Sequence, residues 1–126
     1  MAMNAAAAYQ DSKILTASPA ELTLMLYEGA VKFGNIALSA MDKEDYEKAN
    51  TNLIKAEKII KELQATLDFK YPVAKSFDSV YDYVYRRLID ANIRKDKDIL
   101  EEALGYIREM RDTWKEVMRL SRTSRQ

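Results

Sequence analysis

The chain has 126 residues, a length typical of a single domain with its own hydrophobic core. It contains no cysteine, which excludes disulfide bonds and thiolate zinc sites, and no histidine, which removes the usual general base and the histidine-dependent metal and phosphotransfer bundles. Twenty basic residues balance twenty acidic residues, so the net charge gives no reason to expect a nucleic-acid ligand. We therefore expect a protein that is not an enzyme and that needs no cofactor.

The sequence contains no uninterrupted run of 18 apolar residues, so no membrane span is predicted. A secretory signal would have an early cluster of basic residues before its apolar part, and the N-terminus lacks such a cluster. A cytoplasmic protein is the expectation.

Residues 1–17 are small, apolar and weakly charged. Ala5 to Ala8 favour a helical turn, and Tyr9, Ile14 and Leu15 follow as sparse apolar anchors. Two interpretations stay open: a frayed terminus, or a segment that docks reversibly on the first helix as a lid.

The first predicted helix runs from Ser18 to Met41. Ser18 is expected to cap it, with Pro19 at the first helical position and Glu21 completing a capping box. At about 100° per residue, its apolar side chains fall into two stripes. The stripe expected to face the core holds Leu22, Met25, Leu26, Ala30, Phe33, Ile36, Ala37 and Ala40. The second stripe holds Leu24, Tyr27, Val31 and Leu38, with Gly34 between them. A helix that is apolar almost all round must be covered on two sides, so the second stripe needs either the N-terminal segment or a partner.

The second predicted helix runs from about Tyr46 to Leu67, after a polar break at Asp42 to Asp45. Its seam has full heptad spacing and comprises Tyr46, Ala49, Leu53, Ala56, Ile60, Leu63 and Leu67. Glu57 and Lys61 are spaced for an ion pair. Ile54 and Ile59 lie off the seam and are either flank residues or part of a binding groove.

The third predicted helix runs from about Val73 to Asn92, after Pro72 has ended the preceding turn. Its expected core stripe comprises Val73, Phe77, Val80, Val84, Leu88 and Ala91. Tyr81, Tyr83 and Tyr85 lie off that stripe on different flanks. They are either amphipathic rim residues or contacts to a partner.

The fourth predicted helix runs from about Lys97 to Leu120, with Asp96 as its cap. Its seam comprises Leu100, Ala103, Ile107, Met110, Trp114 and Val117, and Trp114 is expected in the core. Gly105 interrupts the helix off the seam, where close approach of another segment would explain it. Residues 122–126 are expected to form a flexible basic tail.

Four helices of about twenty residues joined by short loops predict an all-α, antiparallel up-down-up-down four-helix bundle over residues 18–121. No segment alternates with period 2 between turn signals, so a sheet is not expected.

Several runs of the sequence resemble the flagellar secretion chaperone FliS family. The opening is the most specific part: Tyr9-Gln10, then Thr16-Ala17-Ser18-Pro19, then Glu21 to Ala30. Weaker matches follow at Ala49-Asn50, Leu53, Lys55-Ala56, Ile59-Ile60, Leu67-Asp68, Leu88 to Asn92, and Arg111 to Trp114. The resemblance covers Tyr9 to about Glu116.

This resemblance implies a cytosolic chaperone that holds the disordered C-terminal segment of flagellin, prevents premature polymerisation and supports delivery to the type III export gate protein FlhA. It also implies that the N-terminal segment covers part of the groove when cargo is absent.

Helical geometry, rather than the family, supplies the expected partner contacts. They are Tyr9, Ile14, Leu24, Tyr27, Val31, Leu38, Ile54, Ile59, Tyr81, Tyr83 and Tyr85. The alternative function is a non-enzymatic adaptor or scaffold that self-associates, as a homodimer, through the second stripe of the first helix. An enzyme with a carboxylate metal site has little support, since no inward-facing pair of glutamates is predicted.

Overall fold

Four α-helices make up the computed structural model of residues 19–124, in which side chains are described as far as Ser121. They are α1 (Ala20–Asp42), α2 (Tyr46–Ala65), α3 (Val73–Arg94) and α4 (Lys97–Ser124). This confirms the all-α four-helix bundle. None of the described helices is long and apolar enough to cross a membrane. Residues 1–18 and 125–126 lie outside the described part, and with them the expected lid, the Ser18 cap and the partner contacts Tyr9 and Ile14.

Contacts between packed helices show that α1 runs opposite to α4 and that α2 runs opposite to α3. Along α1 and α4, Asn35 accepts a hydrogen bond from Arg108 at 2.7 Å, and Glu28 lies 3.8 Å from Lys115. Because one residue number falls as the other rises, these helices are antiparallel. The contacts between Gln64 and Asp78 and between Asn50 and Asn92 show the same for α2 and α3.

The helix ends follow from local chemistry. Asp45 accepts a hydrogen bond from the Lys48 N–H at 3.2 Å and begins α2. Asp96 accepts from the N–H groups of Asp98 and Ile99 at 2.9 and 3.2 Å, which confirms the predicted cap of α4. Pro19 was expected inside α1 but lies just before it, because its ψ of 142° is extended and only its carbonyl joins the helix, accepting from Thr23.

The length of α4 differs from expectation. The helix continues to Ser124, four residues beyond the predicted end at Leu120 and through part of the segment expected as a flexible tail. The loop before it is closed by Lys95, whose φ of 52° places a non-glycine residue in the left-handed region. Glu44, in the connection between α1 and α2 at the same end of the bundle, also lies in the left-handed region.

The core is built mainly from the heptad seams of α2 and α4. Every seam residue of α2 from Ala49 onward is buried, as are Leu100, Ala103, Ile107 and Trp114 of α4. The prediction of the α2 seam is wrong only at Tyr46, whose side chain is exposed at the end of the bundle. On α3, Val84, Leu88 and Ala91 are buried as predicted, whereas Val73 is exposed.

Two further expectations are wrong. Glu57 and Lys61 do not pair: Lys61 Nζ instead lies 4.2 Å from the centre of the Tyr85 ring, and one Glu57 carboxylate oxygen is buried without a hydrogen-bond partner. That burial raises the pKa of Glu57. Close approach is also absent at Gly105, where an added Cβ would meet nothing within 4 Å of it.

Candidate functional site

The core stripe predicted for α1 is only partly right: Ala30, Ala37 and Ala40 are buried in the bundle, whereas its larger side chains are exposed or half-buried. Tyr27, Val31 and Gly34, from the stripe expected to need a cover, are buried in the bundle. Leu22 and Met25, from the stripe expected to form the core, are 43% and 65% exposed. The physical reason is that the side facing the bundle is lined largely by small residues, which let the neighbouring helices approach closely.

The larger side chains of the predicted core stripe form an apolar surface that we call the α1 outer face. It comprises Leu22, Met25, Leu26, Phe33 and Ile36. Its first two residues are exposed and the other three are half-buried. The Phe33 ring lies 5.5 Å from Lys32 Nζ and 5.2 Å from Lys55 Nζ, within range of cation–π attraction. The surface therefore combines apolar contact area with a positively charged edge.

The predicted groove residues of α2 lie on different sides of that helix. Ile59 is half-buried, and its Cδ1 would lie 3.2 Å from a Cβ at Gly29, so it packs across α1. Ile54 is 38% exposed and is five positions away, about 140° around the helix. The two isoleucines do not share one groove, and Ile59 alone borders the α1 outer face.

Tyr27 and Tyr81 meet in the centre of the bundle. Their hydroxyl groups are hydrogen-bonded to each other, and their rings lie 6.4 Å apart at an angle of 35°. Burial raises the pKa of Tyr27 to about 12 and raises that of Tyr81 as well, because the charged phenolate would be desolvated. Tyr81 was expected on the rim of α3, and this placement is wrong because its hydroxyl has a partner inside the core.

A buried hydroxyl lies one turn from this pair. Thr23 is fully buried, and its Oγ1 has no hydrogen-bond partner among the described residues. Leu24 and Leu38, the remaining members of the second stripe, are half-buried and pack against the core. In this conformation none of the second stripe offers a large exposed surface.

The other two tyrosines of α3 lie on opposite flanks, as the spacing predicted. Tyr83 donates a hydrogen bond to Glu102 at 2.8 Å and packs edge-on against Tyr106, with ring centres 5.7 Å apart. Arg87 donates to the same carboxylate at 2.9 Å. Together the hydrogen bonds from Tyr83 and Arg87 lower the pKa of Glu102. Tyr85 is half-buried beneath Lys61.

Sequence reasoning missed Tyr106. It lies off the seam of α4 and is 39% exposed, so periodicity alone makes it an ordinary surface residue. Only its contact with Tyr83 on α3 shows that the two tyrosines form one aromatic surface that spans both helices.

The described residues place no group of three acidic side chains so that they could hold a metal ion. The chemistry that the surface offers is that of binding: exposed apolar side chains, aromatic rings and a few charges.

Comparison with known proteins assigns the chain to a family. The family model described as "Flagellar protein FliS" matches residues 2–121. The flagellar secretion chaperone FliS of Bacillus subtilis (strain 168) is 46% identical over 118 residues, which cover 94% of this chain and 89% of the relative. That of Salmonella typhimurium is 33% identical over 110 residues, covering 85% and 82%. The resemblance noted in the sequence is thereby confirmed, and this chain belongs to the FliS family of flagellar proteins.

Proposed function

We propose that this protein is a cytoplasmic export chaperone that binds the disordered C-terminal segment of flagellin. Binding keeps the cargo from polymerising prematurely and supports its delivery to the flagellar type III export apparatus, including the gate protein FlhA. Support comes from the relatives, which are named as flagellar secretion chaperones. Membership of a family of chaperones also supports a role that is not enzymatic.

The observation that carries the proposal is the exposure of the α1 outer face. A single soluble domain normally buries side chains such as Leu22 and Met25, and a contiguous apolar strip on its surface indicates a binding site. Flagellin's terminal segments pack as helices in the filament, so their apolar faces are adhesive before assembly. An apolar strip along a helix can mask such faces by the helix-in-groove mode of recognition.

The proposed cargo surface is therefore the α1 outer face, bordered by Ile59, in place of the second stripe, whose Tyr27 and Val31 are buried. Ordering a disordered cargo costs conformational entropy, so one strip is not sufficient and the cargo has to wrap over further surface. Ile54 and Tyr85 retain enough exposure to contribute. In the same proposal, Tyr9 and Ile14 belong to an N-terminal lid. Docking of this lid would lower the apparent affinity for cargo by the free energy of lid docking.

Calorimetric titration of the full chain with the C-terminal segment of flagellin from the same organism tests the proposal. We expect one-to-one binding with a large negative heat-capacity change, because apolar surface is buried. Absence of both heat and a complex in gel filtration would contradict it. A tight dimer that does not bind flagellin would instead support the self-associating adaptor.

A further inference from the structure

Gly105 has no packing role among the residues that the structure describes. It lies inside α4, is exposed, and a Cβ added there would meet no atom within 4 Å. Glycine is less favourable than alanine inside a helix, because it loses more backbone freedom on folding. Its effect on the surface is a depression of about 340 Å³, lined by residues of α4 alone: Glu101, Glu102, Gly105, Tyr106 and Glu109.

The depression adjoins a groove between α3 and α4. Tyr106 is shared with a second cavity of about 250 Å³, whose other lining residues are Ser79, Val80 and Tyr83. Val80 is in turn shared with a third cavity of about 140 Å³, which extends to Phe77 and Met110. The floor of this groove is thus apolar and aromatic over several turns of both helices.

The end of the groove at Gly105 is acidic. Glu101, Gly105 and Glu109 are spaced at intervals of four, so the two carboxylates flank the depression on one line of the helix. Neither forms a hydrogen bond or a salt bridge among the described residues, whereas Glu102 is held by Tyr83 and Arg87. Glu101 interacts electrostatically with Lys97 one turn earlier, so Glu109 is the carboxylate that the described residues leave unpaired beside the apolar floor.

We propose that this groove is a docking site for an amphipathic helix of a second protein, which places a lysine or arginine between Glu101 and Glu109 and an apolar side chain against Tyr83 and Tyr106. The absent side chain at position 105 lets the partner's backbone approach α4 closely. The acidic rim selects a basic helix over an acidic one, since opposite charges are attracted and like charges repel across an interface.

The groove is separate from the proposed cargo surface. α4 contacts α1 through Arg108 and Lys115, on the side away from Tyr106, and the α1 outer face borders α2 through Gly29 and Ile59. The site therefore extends the proposed function without depending on it: cargo and the second protein can be bound at the same time.

The test uses the full chain and a synthetic amphipathic peptide of about 18 residues, roughly 27 Å long as a helix, with a leucine stripe flanked by lysines. Affinity is measured by fluorescence anisotropy, and the binding position by amide chemical-shift changes. We expect the largest shifts at Gly105 and Tyr106, and about tenfold weaker binding of a matched peptide with glutamate in place of lysine.

The decisive variant is Gly105→Gln, which fills the depression without a clash and is expected to fold normally. It should weaken peptide binding about tenfold, as should Glu101→Gln combined with Glu109→Gln, whereas the control Lys58→Gln, at an exposed position on α2, should not. Unchanged affinity in Gly105→Gln, shifts confined to α1, or no peptide binding at all would overturn the proposal.

A competition experiment separates this site from the cargo surface. Saturating amounts of the flagellin C-terminal segment should leave the peptide bound. Displacement of the peptide would show that the groove belongs to the cargo, and would overturn the assignment to a second protein. Failure of flagellin itself to bind would contradict the proposed function and leave the peptide result to stand by itself.

Discussion

Gly34 of α1 lies directly against the side chain of Leu104 of α4. A Cβ built at position 34 would overlap Leu104 Cδ2, with the Leu104 Cγ only 3.1 Å away. Both residues are buried. The absence of a side chain at this one position allows α1 and α4 to pack at their observed separation.

Gly34→Ala is therefore expected to destabilise the protein by about 1–3 kcal/mol, because an extra methyl group has to be forced into a filled core. The matched control is Gly105→Ala, where the methyl group meets nothing and should add about 0.5–1 kcal/mol of stability. Urea unfolding followed by circular dichroism measures both. Equal midpoints for the two variants would contradict the close contact.

Tyr27→Phe should cost about 1–3 kcal/mol, because it leaves the buried Tyr81 hydroxyl without a partner. The double variant Tyr27→Phe with Tyr81→Phe removes both hydroxyls and should be less destabilised than the sum of the single variants. A double-mutant cycle from urea unfolding measures this difference. Strict additivity would show that the two hydroxyls do not interact.

The same pair predicts a loss of stability at alkaline pH. Because the pKa of Tyr27 is raised from 10.0 to about 12 in the folded protein, the neutral phenol is favoured by folding. This contribution is complete below pH 10 and is lost as the pH rises towards 12, at up to about 1.4 kcal/mol per pH unit. The free energy of unfolding of the wild type should fall more steeply above pH 10 than that of the double phenylalanine variant. Parallel curves would argue against the shifted pKa.

Leu22→Gln combined with Met25→Gln tests the α1 outer face. Both side chains are substantially exposed, so stability should change by no more than about 0.5 kcal/mol. Affinity for the flagellin C-terminal segment should fall by about tenfold or more, since apolar contact area is lost. Ile93→Gln, at a residue 78% exposed at the far end of the bundle, is the matched control and should bind normally. If both variants bind like the wild type, the cargo lies elsewhere.

Asp96→Ala should destabilise the protein by about 1 kcal/mol, because the first turn of α4 loses the acceptor of two backbone N–H groups. Asp98→Ala removes a charge from the same turn but no cap, and should have a smaller effect. Thermal unfolding compares the two. A larger effect of Asp98→Ala would show that charge, rather than capping, stabilises this turn.

The sequence predicted α2 and α4 well, because their cores are heptad repeats of bulky residues such as Leu53 and Ile107, whose period reports the buried face directly. On α1 it placed Ala30 and Ala37 in the core correctly, but it left the buried Gly34 out of the core stripe. Small residues contribute little to a hydrophobic pattern, although they decide how closely two helices pack. The larger side chains at Leu22 and Met25 therefore displaced the predicted core stripe around the helix, away from the buried Tyr27 and Val31.

The placement of Tyr81 and Tyr106 could not have been read from local patterns. Tyr81 is buried because it meets Tyr27, which is 54 positions away in the chain. Tyr106 becomes part of a surface only through Tyr83 on another helix. Such pairings depend on how the helices are rotated in the bundle, and helical period alone does not determine that rotation.

Trp114 is the only tryptophan of the chain, it is buried, and its indole N–H donates to the carbonyl of Ala20 at 3.1 Å. This hydrogen bond joins the last helix to the first residue of α1, at the start of the described bundle. The protein thus carries a built-in fluorescent reporter at that junction. Its emission maximum and its quenching by acrylamide will register any rearrangement there, without a label and during the same titrations that measure cargo binding.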